Sequence, residues 1–357
     1  MTGKWRENIR KVVPYVPGEQ PNIAGMIKLN TNENPYPPSR EVTKACEGFQ
    51  TDVLRLYPDP TIKGLVSVLA DYHKVTEDRV FVGVGSDDVL ATAFMSLFAG
   101  EKPILFPDIT YSFYDVWADL FRIPYRTLPL DADFRIVKED YFTENGGIVI
   151  ANPNAPTGIY ENTDFLREIV QRNPDSVVII DEAYADFAPG TALALTAEYD
   201  NVLVVRTFSK SRSMAGMRIG YAIGSPELIR AMNDVKYSYN SYTMNQTSIT
   251  FGKASVLDDA YFKETVQKIV NTREYAKKRL ADLGFTFPDS QTNFLFVTHK
   301  EIPAERIFNS LKEEHIYVRY FNKDRINNYL RITMGTDAEM ERVYESLERI
   351  IERESAG

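Results

Sequence analysis

Val177-Val178-Ile179-Ile180-Asp181-Glu182-Ala183-Tyr184 is a β-branched run that stops on two carboxylates. Four apolar residues in a row, with no polar alternation, are what a strand buried on both faces requires, and Asp181 then falls at its C-terminal end. Short runs of the same kind recur between residues 79 and 224: Val80 to Val84, Ile104 to Phe106, Ile148 to Ile150, Val202 to Val205 and Ile219 to Ile223, with helical patterns between them. This rhythm implies an α/β fold with a mostly parallel central sheet, whose ligand sits beyond the C-terminal ends of its strands. Gly85, Asn154, Asp181 and Thr207 each come at or just after the end of one of these runs.

The remainder of the chain has a different texture. A long amphipathic pattern from Asp258 to Leu283 reads as a connecting helix ended by Gly284. After it, Phe294 to Val297, Ile316 to Val318 and Tyr329 to Ile332 read as short strands, with helices near Ala304 to Glu314 and Asp337 to Glu352, a second α+β unit. The first forty or so residues, with Pro14, Pro17, Pro21, Pro35, Pro37 and Pro38, are too broken by proline for a regular element. The expected organisation is an N-terminal arm over residues 1–40, a large domain over 41–257, and a connecting helix with a small domain over 258–357.

Chemistry concentrates around Lys210, in Thr207-Phe208-Ser209-Lys210-Ser211-Arg212, with Arg218 eight positions later. A Ser-Lys pair alone reads as a solvated loop, and an aspartate at a strand end alone reads as a turn or a helix cap. The ordered set says more. A lysine amine beside hydroxyls and an arginine suits a Schiff base with an aldehyde cofactor whose phosphate the hydroxyls and guanidinium hold. Asp181 supplies the counter-charge for a protonated pyridine ring, and Asn154, in Asn152-Pro153-Asn154-Ala155-Pro156-Thr157-Gly158, an amide for the ring's phenolic oxygen. Gly83-Val84-Gly85-Ser86-Asp87-Asp88 opens a helical pattern, so the backbone N–H groups at Ser86 and Asp87 face outward for an anion. Together these residues point to pyridoxal 5'-phosphate.

With these motifs the chain resembles the fold-type I aminotransferases, and within them the histidinol-phosphate aminotransferases, from Pro14-Tyr15 and Leu29-Asn30-Thr31-Asn32-Glu33-Asn34-Pro35 to Leu330-Arg331-Ile332-Thr333. The resemblance implies that Lys210, Asp181 and Tyr184 are catalytic, that Tyr111 stacks on the cofactor, and that Tyr184 and Asn154 bond its phenolic oxygen. It implies a phosphate cup of Gly85, Ser86, Asp87, Thr207, Ser209 and Arg218. Tyr57 matches a residue that reaches the phosphate of a neighbouring subunit, which implies a homodimer with shared active sites. Tyr15, Asn154, Arg319 and Arg331 match substrate-binding positions, Arg331 for the carboxylate and Arg319 with Tyr15 for a substrate phosphate. Where the family has Pro-Pro-aromatic-Asn before the connecting helix, this chain has Tyr237-Ser238-Tyr239-Asn240, which implies a different wall near the substrate side chain. The reaction implied is L-histidinol phosphate plus 2-oxoglutarate giving imidazole-acetol phosphate plus glutamate, in histidine biosynthesis. Alternatives on the same scaffold are an aromatic-amino-acid aminotransferase and a threonine-phosphate decarboxylase.

Composition narrows the field. The 357 residues are 44% hydrophobic and carry a formal net charge of -9, which argues against a nucleic-acid surface. The single cysteine, Cys46, rules out an internal disulfide, fits a reducing compartment and reads as a small buried apolar residue. No stretch of about 18 apolar residues occurs and the N-terminus lacks an apolar signal core, so the expectation is a cytoplasmic protein with no membrane partner. His73, His299 and His315 are scattered, which gives a metal site no support. A cofactor-sensing regulator would need a DNA-binding unit, and no basic segment is present for one.

Overall fold

The computed structural model describes residues 3–15 and 18–355. Pro17, one of the prolines expected to break the N-terminal arm, lies outside the described residues. The chain first forms β1 (Ile27–Lys28), α1 (Arg40–Glu47), α2 (Lys63–His73), β2 (Val80–Gly83), α3 (Ser86–Leu97), β3 (Ile104–Pro107), α4 (Tyr114–Phe121) and β4 (Tyr125–Leu128). Then come β5 (Gly147–Ala151), α5 (Thr163–Arg172), β6 (Val178–Asp181), α6 (Leu195–Glu198), β7 (Val202–Thr207), β8 (Gly220–Ile223), α7 (Pro226–Tyr239) and α8 (Gln246–Leu257). The last part holds α9 (Asp259–Asp282), β9 (Phe285–Thr286), β10 (Phe294–His299), α10 (Ala304–Glu313), β11 (Ile316–Tyr317), β12 (Arg319–Tyr320), β13 (Leu330–Thr333) and α11 (Asp337–Ser355).

Seven strands make the central sheet in the order β2-β8-β7-β6-β5-β3-β4. From β7 to β4 every pairing is parallel, and β8 runs antiparallel to both of its neighbours. Every residue of β5, β6 and β7 is buried, because helices cover both faces. On one face Val149, Ile179 and Leu203 meet Phe94, Trp117 and Met232; on the other Ile148, Ile150 and Val204 meet Leu166, Ile169 and Val170. The strand ends align in register, with Ala151 opposite Asp181 and Asp181 opposite Val205, so the loops after β5, β6 and β7 open at one edge.

A second, antiparallel sheet runs β12-β13-β10-β9, and its core joins α9, α10 and α11 through Ile269, Leu311, Ile332 and Leu347. Tyr184, Phe187 and Ala155, from loops of the central sheet, pack into that same core. The 24-residue α9 is capped by the Asp258 side chain, which accepts from Tyr261 N–H, and ends before Gly284 at φ +84°.

Three expectations change. The N-terminal segment does contain a regular element: β1 pairs in parallel with β11, Ile27 opposite Ile316, because Ile27 and Leu29 bury against the second sheet. Tyr237-Ser238-Tyr239 closes α7 rather than preceding the connecting helix directly, and α8 lies between. Cys46 is exposed rather than buried, since α1 buries only Val42. Among the described residues no helix is long and apolar enough to cross a membrane.

Candidate active site

Five loops at the C-terminal edge of the central sheet enclose a cavity of about 220 Å³, lined by Ser86, Asp87, Tyr111, Asp181, Tyr184, Thr207, Ser209, Lys210 and Arg218, together with Thr31 and Glu33 of the N-terminal segment. An adjoining cavity of about 170 Å³ shares Thr31, Tyr111, Ala155, Tyr184 and Lys210 with it, and is walled by Tyr15, Asn30, Asn32, Arg319, Phe321 and Arg331. Lys210 stands where the two meet. Its Nζ donates to Thr31 O at 3.0 Å and lies 5.8 Å from the Tyr184 ring centroid.

Each wall follows from local structure. Asp181 is the last residue of β6, 5% exposed, and its Oδ1 accepts from Ala183 N–H at 3.1 Å. Burial pushes its carboxyl up to about 6, against the pull of its hydrogen bonds. Tyr184, three residues on, accepts a hydrogen bond at its hydroxyl from Asn32 Nδ2 at 2.8 Å. Asn32 is itself fixed by Thr333 and Asn293, which ties the N-terminal segment to the second sheet.

The cup at the other end is built by glycines and hydroxyls. Gly85, at φ +89°, caps α3 just before Ser86, and the first N–H groups of the helix have no intrahelical acceptor. Gly220 lets β8 approach this turn; a Cβ there would stand 2.3 Å from Ser86 N. Thr207 Oγ1 donates to Ser209 Oγ at 3.0 Å. Arg218 reaches Ser209 Oγ at 3.5 Å and pairs with Asp87 Oδ2 at 3.2 Å, while Asp87 Oδ1 accepts from Tyr111 OH at 2.7 Å. Asp87, expected for its backbone alone, thus also holds Arg218 and Tyr111 by its side chain.

Arg319 and Arg331 line the adjoining cavity directly opposite each other on β12 and β13. Arg331 Nη2 donates to Asn30 O at 2.9 Å, and its buried Nε has no partner. Burial lowers its pKa below the usual arginine range, and Arg319 adds to the effect. Tyr15 stacks on Phe113 at 4.3 Å and closes this end.

Gly85 shapes the turn without lining either cavity, and two expected side chains are not brought to the cavities. Asn154 is 5% exposed and lines neither; its Nδ2 donates to Ile109 O at 2.9 Å and Thr157 Oγ1 at 3.0 Å, and its Oδ1 accepts from Thr110 Oγ1 at 2.8 Å. Both its amide N–H groups and one oxygen lone pair hold the loop, and Ala155 presents the wall instead. Tyr57 is 83% exposed, its ring 4.7 Å from that of Tyr242, outside both cavities. Tyr237, Ser238, Tyr239 and Asn240 line neither cavity. Sequence reasoning in turn missed Asn32, Glu33, Phe321 and Tyr114. The dense asparagines of Leu29 to Pro35 were the available signal for the first two, since Asn32 takes φ +58°, a conformation asparagine tolerates.

The residues fit pyridoxal phosphate: hydroxyls, unpaired helix N–H groups and an arginine at one end, a sealed carboxylate in the middle, a lysine amine at the other. Comparison agrees. Residues 24–347 match the family described as aminotransferase class I and II. The chain is 50% identical over 347 residues to a histidinol-phosphate aminotransferase of Lactococcus lactis subsp. cremoris, covering 97% of this chain and 98% of that protein. It is 49% identical over 346 residues to one of Brachyspira hyodysenteriae, with 97% and 98% covered. In fold it is similar to the histidinol-phosphate aminotransferase of Sinorhizobium meliloti solved with pyridoxal-5'-phosphate, at TM-score 0.84 and 24% identity over 92% of this chain and 91% of that one. L-threonine-O-3-phosphate decarboxylase of Porphyromonas gingivalis shares the fold at TM-score 0.79 and 19% identity, with 92% and 100% covered. This chain belongs to the class I and II aminotransferase family.

Proposed function

We propose that the protein is a pyridoxal-phosphate-dependent aminotransferase that converts L-histidinol phosphate and 2-oxoglutarate to imidazole-acetol phosphate and glutamate, a step of histidine biosynthesis. The observation that carries this reading is the pair Arg319 and Arg331, opposed across two strands beside Lys210 and, among the described residues, without a carboxylate partner. Two unmatched guanidinium groups fit substrates that each bring an anion, a phosphate in one half-reaction and carboxylates in the other.

When bound, pyridoxal phosphate carries the amino group between the half-reactions and its ring takes up the electrons left when the substrate loses a proton. The protein supplies the rest. Ser86 and Asp87 N–H, the Thr207 and Ser209 hydroxyls and Arg218 hold the phosphate. Asp181 keeps the proton on the ring nitrogen, Tyr111 covers the ring, and the Tyr184 hydroxyl, aimed by Asn32, bonds the phenolic oxygen. Lys210 Nζ is the attachment point, and once released it is the base that takes the proton from the carbon bearing the substrate's amino group. Arg331 orients the carboxylate, and Arg319 with Tyr15 grips the substrate phosphate.

The protein works as a homodimer in this reading. Leu54, Leu56, Tyr57, Tyr239 and Tyr242 are exposed, and apolar side chains left in water around Tyr57 are what a second copy would cover. Tyr57 then serves the partner's phosphate cup, which accounts for its distance from its own. The single exposed cysteine and the small-molecule substrates accord with a cytoplasmic enzyme. The three sequence segments follow the same reading: an arm over 1–40, a cofactor-binding domain over 41–257 and a small domain over 258–357. The test is glutamate formation from histidinol phosphate and 2-oxoglutarate by protein reconstituted with pyridoxal phosphate. No glutamate above the cofactor-only background would refute the reading.

A further inference from the structure

Among the described residues Asp181 meets two donors, and one is a side chain on a different element. Ala183 N–H reaches Oδ1 at 3.1 Å, and Tyr114 OH donates to Oδ2 at 2.8 Å. Tyr114 starts α4 and is fully buried, its ring set among Phe94, Phe106, Tyr111 and Trp117 at centroid distances of 5.7 to 6.3 Å. Packing on every side leaves the ring one orientation, and in it the hydroxyl proton points at Asp181.

The charges around Asp181 make that donor matter. Asp87 comes from α3 and Glu182 from the next position on the chain, and both raise the Asp181 carboxyl, as burial does most strongly. Arg206 on β7 offsets Glu182 at 2.7 Å, and Arg218 offsets Asp87 at 3.2 Å. Tyr111 OH donates its hydrogen bond to Asp87, Tyr184 lies on the cavity wall, and Lys210 donates to Thr31 O. Among the described residues, only Tyr114 and the Ala183 N–H donate to Asp181 itself. Burial also pushes the Tyr114 phenol far above its usual range, so it stays a donor throughout the working pH.

We propose that Tyr114 is the positioning residue that keeps Asp181 ionised and aimed, so that Asp181 can hold a proton on the nitrogen of the cofactor ring. This rests on the reading that the cavity takes pyridoxal phosphate. The consequence is specific. Tyr114→Phe removes one hydroxyl and leaves the ring packing, and it takes from a buried carboxylate a bond that is stronger to its charged form than to its neutral one.

The test uses the apoprotein first. Infrared difference titration follows the protonated carboxyl band, with Asp181→Asn assigning it. The Asp181 midpoint is expected to rise by roughly one to two pH units in Tyr114→Phe. Pyridoxal phosphate affinity by equilibrium dialysis should fall several-fold at pH 7 and recover as the pH passes the new midpoint. Fluorotyrosine at position 114, a stronger donor of nearly the same shape, should move the midpoint the opposite way, and this arm stands even if Tyr114→Phe does not fold. Midpoints that stay put in both variants would overturn the proposal. Failure of the wild type to bind pyridoxal phosphate would instead overturn the functional reading, and the titration would still decide whether Tyr114 governs Asp181.

Discussion

Arg319 and Arg331 are a directly opposed pair across β12 and β13, two like charges on the same face of the second sheet. Such pairs are destabilising unless something offsets them. No carboxylate does so among the described residues; the Phe321 ring lies under both, 5.5 Å from the Arg319 guanidinium carbon and 5.7 Å from that of Arg331. A ring face attracts cations without using their N–H donors, so the Arg319 fork and the Arg331 Nε stay free for an anionic substrate, while Arg331 Nη2 is held by Asn30 O.

Arg331→Ala should weaken both half-reactions. Arg319→Ala should act mainly on the phosphorylated substrate, each loss in kcat/KM being about 10- to 100-fold, or roughly 1.5–3 kcal/mol for one charged hydrogen bond. Single-turnover kinetics of each half-reaction measure this. Equal losses on every substrate for Arg319→Ala would remove its special role.

Lys210→Ala should abolish turnover while the fold, read by circular dichroism, stays native. Borohydride reduction of the wild-type holoenzyme followed by peptide mapping should place the cofactor on Lys210. A different labelled lysine would contradict the assignment.

His73 gives a pH signature of stability that is independent of the active chemistry. Its Nε2 lies 2.9 Å from Tyr221 OH, and burial pushes the imidazole down to about 3, with Arg206 and Arg212 adding to it and Asp186 opposing. Below its ordinary pKa near 6.5 the unfolded chain takes up a proton that the folded protein refuses. Stability from this group is therefore complete above about pH 6.5 and is lost as the pH falls toward 3, by up to ~1 kcal/mol per pH unit. His73→Gln should flatten the drop in urea midpoint between pH 7.5 and 5. An unchanged slope would mean that His73 is not held neutral.

The dimer can be tested by complementation. Lys210→Ala and Tyr57→Ala chains, mixed and allowed to exchange at limiting cofactor, should form hybrids in which one site carries both defects and the other carries none. Activity should then rise above that of either parent. Hybrids detected by native mass spectrometry without any gain would place Tyr57 outside the partner's site.

Much of this was legible in the chain. β5, β6 and β7 announce themselves because burial on both faces demands unbroken β-branched runs. β4 does not, because Tyr125, Arg126 and Thr127 are exposed at the sheet edge and need no apolar pattern. α8 hid for a related reason: it buries Ser248, Gly252 and Ser255 beside Ile249 and Val256, so close packing of small residues replaces an apolar stripe. At the site, Lys210, Asp181, Thr207 and Ser209 follow from strand ends, whose direction the sheet imposes. Asn154 shows the limit of a motif: the loop lies where expected, but a side chain's rotation depends on neighbours such as Ile109 O and Thr110 that are distant in sequence. Tyr114 was hidden among many aromatics, and only its 2.8 Å approach to Asp181 singles it out.

The most direct test of the central claim is a comparison of kcat/KM, with 2-oxoglutarate as acceptor, for L-histidinol phosphate, L-histidinol, L-phenylalanine and L-tyrosine, with carbon dioxide release from threonine phosphate measured alongside. An anion site built from Arg319 and Arg331 predicts that histidinol phosphate is preferred over its unphosphorylated form by about 100-fold, roughly the value of one or two charge-assisted bonds, and that no carbon dioxide appears. Preference for phenylalanine or tyrosine, or release of carbon dioxide from threonine phosphate, would contradict it.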